Sequence, residues 1–309
     1  MTLQKCFDAL RASDATLSAT MLAALSGLGP EEMQEFKDAW ADAAPERRTK
    51  TIAKLIDLAE DNMELDFSCV YRHALEDDEA EVRASAIAGL WECEERSLLT
   101  PLIRMAQFDS AEDVRAAAAQ GLGRFAILAE TGKLIQRDAR RIADTLLSII
   151  GNDEEEWSVR RRAIESIAAM SLPEVEQIIR DAYEHSDELV KGSALFAMGR
   201  TCNAKWLPTL LAGIDSRVSE LRYESVVALG ELGEQEAVTY IIPLIADADA
   251  QVQEAAIHSL GKIGGPIARK ALEQAMRSQD AGIADMAQDS FELAQAKDDP
   301  LGEYDSRRN

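Results

Sequence analysis

The sequence predicts an all-α protein, a right-handed α-solenoid of helical hairpins, and three observations carry that expectation. One phrase recurs: "LRYESVVALGELG" at 221–233 returns as "VQEAAIHSLGKIG" at 252–264. Within each copy the apolar residues fall at positions 0, 4 and 8, which lie on one face of a helix. Almost no segment alternates with period two, so strands are not expected. A two-helix unit buries its apolar stripe only against its neighbours, and a stack of such units accounts for all three observations.

Counting from the anchor at position 0, the copies are Val82–Ala86–Leu90, Val114–Ala118–Leu122, Val159–Ala163–Ile167, Val190–Ala194–Met198, Leu221–Ser225–Leu229 and Val252–Ala256–Leu260. Weaker copies are Arg47–Thr51–Leu55 and Ile283–Ala287–Phe291. The anchors from 159 to 283 are 31 residues apart each time, and those from 47 to 159 are spaced by 35, 32 and 45. Position 5 widens the stripe with Ile87, Ile164, Leu195, Val226 and Ile257. The small residue at position 4 lets a neighbouring helix come close. At position 9, Gly123, Gly199, Gly230 and Gly261 are expected to close the helix or to take a positive φ.

Upstream of the phrases lies a second set of apolar-periodic segments, at 97–106, 139–150, 173–183, 204–214, 237–247 and 266–276, so each unit reads as a hairpin. The joints inside the hairpins are short and acidic: "EDDEAE", "DSAED", "GNDEEEW", "SDE" and "DADAQ". Asp and Ser there can cap the second helix, and negative charge favours its N-terminus.

The phrases "DDEAEVRASAIAGL", "SAEDVRAAAAQGLG" and "ELRYESVVALGELG" resemble the HEAT repeat, in particular the short variety of phycobilisome-lyase-like proteins. The resemblance covers about residues 45–292 and implies a HEAT/armadillo-like superhelix. It is unspecific as to activity, because this repeat serves scaffolds, adaptors and a few enzymes. The residue after each anchor is Arg48, Arg83, Arg115, Arg160, Lys191 and Arg222, lapsing at Gln253 and Ala284. With Asp78, Asp109, Asp153, Asp187 and Asp215 a few residues before the anchors, this resembles the Asp–Arg ladder that ties such units together.

The expected organisation is an N-terminal helical cap over 1–44, a solenoid of about eight units over 45–295, and a disordered tail over 296–309. The 45-residue spacing implies about 14 added residues near 124–141, which either lengthen a hairpin or form a loop.

Lys and Arg number 33 against 56 Asp and Glu, a formal charge of −23. That balance argues against nucleic acid or an anionic membrane as main partner, since both demand a cationic contact surface. It is compatible with a basic partner, and equally with plain solubility. The cysteines, Cys6, Cys69, Cys93 and Cys202, show no C-x-x-C spacing, and no segment reads as a signal peptide or a membrane span; a cytoplasmic location is the expectation.

No catalytic motif stands in the chain: no G-x-x-x-x-G-K-[ST], no G-x-S-x-G, no H-E-x-x-H. His73, His185 and His258 are the imidazoles, and they lack the repeated His–Glu pairs of the HEAT-type di-iron hydroxylases. No cofactor and no metal is expected. The HEAT-like resemblance places the second helix of each unit on the concave face, exposing positions 2, 3, 6 and 10. On that face Arg161, Arg162, Phe196, Arg200, Tyr223, Val227, His258 and Lys262 are the candidate partner-binding residues, with Gln120 and Arg124 earlier. Aromatics beside Arg are the composition of an interface hot spot. The competing expectation is that Phe196 and Tyr223 widen the core stripe and that the two arginines pair with "DEEE" of their own unit. Trp91, at position 9, and Trp206 read as packing residues. The function expected is a non-enzymatic scaffold or adaptor that holds a protein or peptide. The alternatives are a chromophore-handling subunit, implied by the phycobilisome-lyase-like resemblance, and a structural component of a larger complex.

Overall fold

The computed structural model describes residues 2–12 and 15–298; most of the tail expected at 296–309 lies outside them. Every regular element among the described residues is helical. The chain divides into two compact units, one ending at Ile167 and the other beginning at Ala168.

The first unit contains α1 (Thr2–Arg11), α2 (Ala19–Ala23), α3 (Pro30–Ala41), α4 (Pro45–Asp61), α5 (Ser68–Ala74), α6 (Ala80–Gly89), α7 (Leu99–Phe108), α8 (Glu112–Glu130), α9 (Gln136–Ile150) and α10 (Trp157–Ile167). They form two layers: α2, α4, α6, α8 and α10 stack in succession, and α3 on α5 and α7 on α9 form the other. The added residues near 124–141 lengthen helices, since α8 runs 19 residues and α9 runs 15.

The second unit contains α11 (Val175–Tyr183), α12 (Glu188–Arg200), α13 (Leu207–Gly213), α14 (Ser219–Leu232), α15 (Val238–Ile241), α16 (Ala250–Ile263), α17 (Gly265–Ala275) and α18 (Ala281–Asp298). Here α12, α14, α16 and α18 stack, each covered by the helix before it. Helix α15 is a single turn that passes into a 3-10 turn over Ile242–Ala246, where Pro243 withholds an amide. The stacking in both units is that of an α-solenoid.

Positions 0, 4 and 8 are the core of both units. Val82, Val114, Val159, Val190 and Val252 are at most 1% exposed, and Ala86, Ala118, Ala163, Ala194 and Ala256 are wholly buried. Asp187 and Asp249 cap α12 and α16, accepting the amides of Leu189 and Gln251.

The position-9 glycines do something other than expected. They sit inside their helices with ordinary φ, and the space their missing Cβ would fill belongs to position 7 of the next unit. A Cβ at Gly123 would lie 2.9 Å from Ser166 Oγ, at Gly230 2.6 Å from Ser259 Oγ, and at Gly261 2.8 Å from the Ser290 carbonyl oxygen. Two of these serines use the closeness: Ser166 donates to the Ala119 carbonyl at 2.8 Å and Ser259 to that of Val226 at 2.9 Å. Each carbonyl is at position 5 of the preceding unit. Helix closure falls instead to position 12, where Gly233 has φ 72° and Gly264 φ 71°.

The ladder is present, and its rungs lean forward to the next hairpin. Arg83 Nη1 donates to the Asp77 carbonyl of its own joint at 2.7 Å, and its Nη2 to Asp109 in the next joint at 2.7 Å. Arg115 repeats this with the Asp109 carbonyl and Glu155, and Arg222 with the Ser216 carbonyl and Asp247. Arg48 Nε stands 2.9 Å from Asp77, whose carboxylate also accepts from Trp40 Nε1. The acids are thus not quite those expected: Asp78 offers its carbonyl, and Asp153 faces Arg160 of its own hairpin at 3.4 Å. Gln253 keeps the carbonyl half of a rung, donating to Asp247 O at 2.6 Å.

Candidate functional site

In the second unit the expected binding residues lie on the exposed side of three successive stacked helices. Because α12, α14 and α16 share a register, positions 2, 6 and 10 of each face the same way. On α12, Phe196 is half-buried, and the Arg200 guanidinium lies 5.9 Å from its ring centroid, within cation–π range. On α14, Tyr223 is 38% exposed and Val227 half-buried. Neither aromatic is a core side chain in the sense of Trp206 or Phe125. On α16, His258 is exposed with Nε2 3.9 Å from Glu254, and Lys262 Nζ reaches Glu231 on α14 at 2.5 Å.

The remaining two candidates, Arg161 and Arg162, are on α10 in the first unit. Both are half-buried and turn onto Glu165 of their own helix, at 3.8 and 2.7 Å. That carboxylate lies one turn along α10, in the arginines' own helix.

The first unit holds a cavity that sequence reasoning passed over. About 310 Å³ in volume, it is lined by Ile87, Leu90, Leu102, Ala117 and Phe125, with Trp91, Gln120 and Arg124 among its other walls. Where four other units have Gly123, Gly199, Gly230 and Gly261 at position 9, this one has Trp91, and α6 ends at Gly89, so position 9 falls beyond the helix. The indole is 65% exposed. The expectation that Trp91 packs is therefore corrected, whereas Trp206 is buried at 2% exposure. The signal available in sequence was the departure of Trp91 from the glycine pattern. Arg124 pairs with Glu94 at 2.5 Å beside this cavity.

The ladder tunes several of the ionisable groups. The hydrogen bond from Arg222 holds the Asp247 carboxyl below the usual carboxylate range, assisted by the amide of Asp249. Burial pushes the Cys6 thiol up to about 11, and burial lowers the His73 imidazole. Among the described residues no group of three or more His, Cys, Asp or Glu side chains is arranged to hold a metal ion. No described helix is long and apolar enough to cross a membrane.

The sequence profile of HEAT repeats matches residues 71–139, 143–226 and 207–291, more than half of the chain. The protein belongs to the HEAT-repeat family. No curated protein sequence matches it. Among solved structures, this HEAT-repeat protein is similar to Escherichia coli YibA, at 14% identity over 91% of this chain and 99% of that one, TM-score 0.47. It is similar to the CpcE–CpcF complex of phycocyanin lyase from Nostoc sp. PCC7120, at 14% identity over 74% and 94%, TM-score 0.49. Human deoxyhypusine hydroxylase is a third, at 17% identity over 95% and 96%, TM-score 0.39. The three proteins bear different names on one kind of repeat, and these likenesses say nothing of this chain's activity.

Proposed function

We propose that this HEAT-repeat protein is a non-enzymatic protein-binding module. In this reading it holds a protein or peptide segment against the exposed face of the second helix of each hairpin, with Phe196, Arg200, Tyr223, Val227, His258 and Lys262 making the contact in the second unit. The observation that carries the reading is the Phe196–Arg200 stack on α12. It sits with the 38% exposed Tyr223 on a helix face that the core does not need. Rigid aromatics with a guanidinium nearby lose little entropy on binding and are the residues on which interfaces concentrate their energy. Arg161 and Arg162 belong to the same proposal for the first unit, where a partner carboxylate would compete with Glu165.

The test is affinity capture from native extract, with mass spectrometry and a visible absorption scan, comparing wild type with Phe196→Ala/Tyr223→Ala. A polypeptide bound by wild type and lost from the folded double variant, then reproduced with that purified polypeptide by calorimetry, is the expected result. A partner retained by the double variant, or copurifying pigment, overturns the reading; pigment would favour a chromophore-handling role.

A further inference from the structure

We propose that the basic surface at the start of α9, formed by Lys133, Arg137, Arg140 and Arg141 together with Arg96, binds an acidic segment of a protein partner. This surface belongs to the first unit, and the proposal does not depend on the α12–α16 face of the second. The long 45-residue spacing of the repeat falls here, and residues 131–143 contain four cations and one acid in a chain whose formal charge is −23. A local reversal of charge of that kind is a candidate contact surface, because the rest of the protein repels what this part attracts.

The one acid organises the cations. Asp138 is wholly buried and accepts a hydrogen bond from Arg96 Nε of the preceding hairpin. Its other oxygen, Oδ1, makes no hydrogen bond; it stands 3.7 Å from Arg137 Nε and 3.6 Å from Arg141 Nη1. Arg141 is further fixed by donating to Thr100 Oγ1 at 3.1 Å. A single carboxylate thus fixes Arg96 by a hydrogen bond and lies within ion-pair distance of two more guanidiniums, while balancing one of their charges. The Arg137 side chain is 73% exposed and that of Arg96 53%, so N–H groups remain turned to water. A planar guanidinium already held in position is suited to bidentate capture of a carboxylate. The acids at the margins do not cancel the surface: Glu94 and Glu95 are engaged by Arg124 and Arg72, and Glu130 and Asp144 flank it at either end.

Two features favour a polypeptide over nucleic acid. Ile135, in the turn between α8 and α9, is 53% exposed in the middle of the cations and offers contact to an apolar side chain between acidic ones. A short acidic segment touches only this surface, whereas a phosphate backbone would run on across a chain with an excess of 23 negative charges.

The experiment is fluorescence anisotropy on the full chain with three labelled probes: a peptide repeating Glu-Leu-Glu, its Lys-for-Glu counterpart, and an oligo-dT. The acidic peptide is expected to bind, more weakly as salt rises. Arg137→Glu/Arg140→Glu, both exposed and checked for folding by circular dichroism, should weaken it at least about tenfold. The control Lys270→Glu, in the second unit, and Phe196→Ala/Tyr223→Ala, should leave it within about twofold. That last variant separates this proposal from the reading that places a partner on the α12–α16 face. Absence of acidic-peptide binding by wild type, equal binding of oligo-dT, or indifference to the charge reversal would each overturn it.

Discussion

A Cβ placed on Gly199 would stand 2.7 Å from the Cα of Ala228, one hairpin further along the chain. The contact is with backbone, so nothing flexible can give way. Position 9 of α12 and position 7 of α14 are therefore a single packing decision written 29 residues apart. Gly199→Ala adds one methyl group, and overpacking of this kind costs about 1–3 kcal/mol. Urea denaturation should show a lower midpoint for Gly199→Ala. Gly192→Ala on the same helix, where the nearest atom is Glu224 Cγ at 3.7 Å, should match wild type or exceed it. Equal midpoints for the two variants would refute the packing argument.

The Arg222–Asp247 rung gives a pH prediction. The hydrogen bond from Arg222 keeps the folded carboxyl below its ordinary 3.8, against an opposing push from burial. A depressed folded pKa means the unfolded chain takes up the proton first. The stabilisation is therefore complete above pH 3.8 and is lost as the pH falls below it. Asp247→Asn should cost about 1–3 kcal/mol at neutral pH, in line with a hydrogen bond to a charged partner. The gap between variant and wild type should narrow in acid. A gap that stays constant down through acid pH would show that the charge is not what matters.

The repeat was legible because its period is carried by residues that cannot be exchanged freely: the buried Val at position 0, the Ala at position 4 and the Arg that follows the anchor. What each recurring slot does was less legible. Glycine at position 9 is compatible with closing a helix or with admitting a neighbour, and only the placement of Ser166, Ser259 and Ser290 decides for the second. The forward lean of the ladder was hidden for the same reason, since Asp77 and Asp78 are interchangeable on paper and only one carboxylate faces Arg48. On the candidate face, the sequence left Phe196 and Tyr223 open between an exposed surface and a widened core stripe, and only the packing shows Phe196 half-buried and Tyr223 38% exposed. It missed the cavity beside Trp91, because a cavity is the absence of a neighbour and leaves no residue type of its own.

Position 12 supplies a stabilising change. Gly233 and Gly264 occupy it with φ near 70°, and Cys202 occupies it in the unit anchored at Val190 with φ 48°. A left-handed conformation costs a residue with a Cβ about 1–2 kcal/mol, part of which glycine returns through its freer unfolded chain. The Cys202 side chain is exposed, so its removal gives up little packing. Cys202→Gly should raise stability by about 0.5–1 kcal/mol in chemical denaturation. Cys202→Ala, which keeps the Cβ, should not; if it stabilises as much, the backbone conformation is not the cause.

The two tryptophans, Trp91 and Trp206, should separate cleanly. Trp206 is 2% exposed, with the Arg180 guanidinium 4.9 Å above its ring and Lys205 Nζ at 5.1 Å, so its loss leaves a large hole in the second unit. Trp206→Ala should cost about 3–5 kcal/mol, the range for emptying a buried aromatic site. Trp91 is 65% exposed at the mouth of its cavity, and Trp91→Ala should fall within about 0.5 kcal/mol of wild type, as exposed substitutions do. Its emission should be quenched by acrylamide in the native protein, while that of Trp206 should be reached only on unfolding. Single-tryptophan versions of the chain read both quantities together. A shielded Trp91 would mean that α6 and α8 close over it and that the cavity beside it is not open.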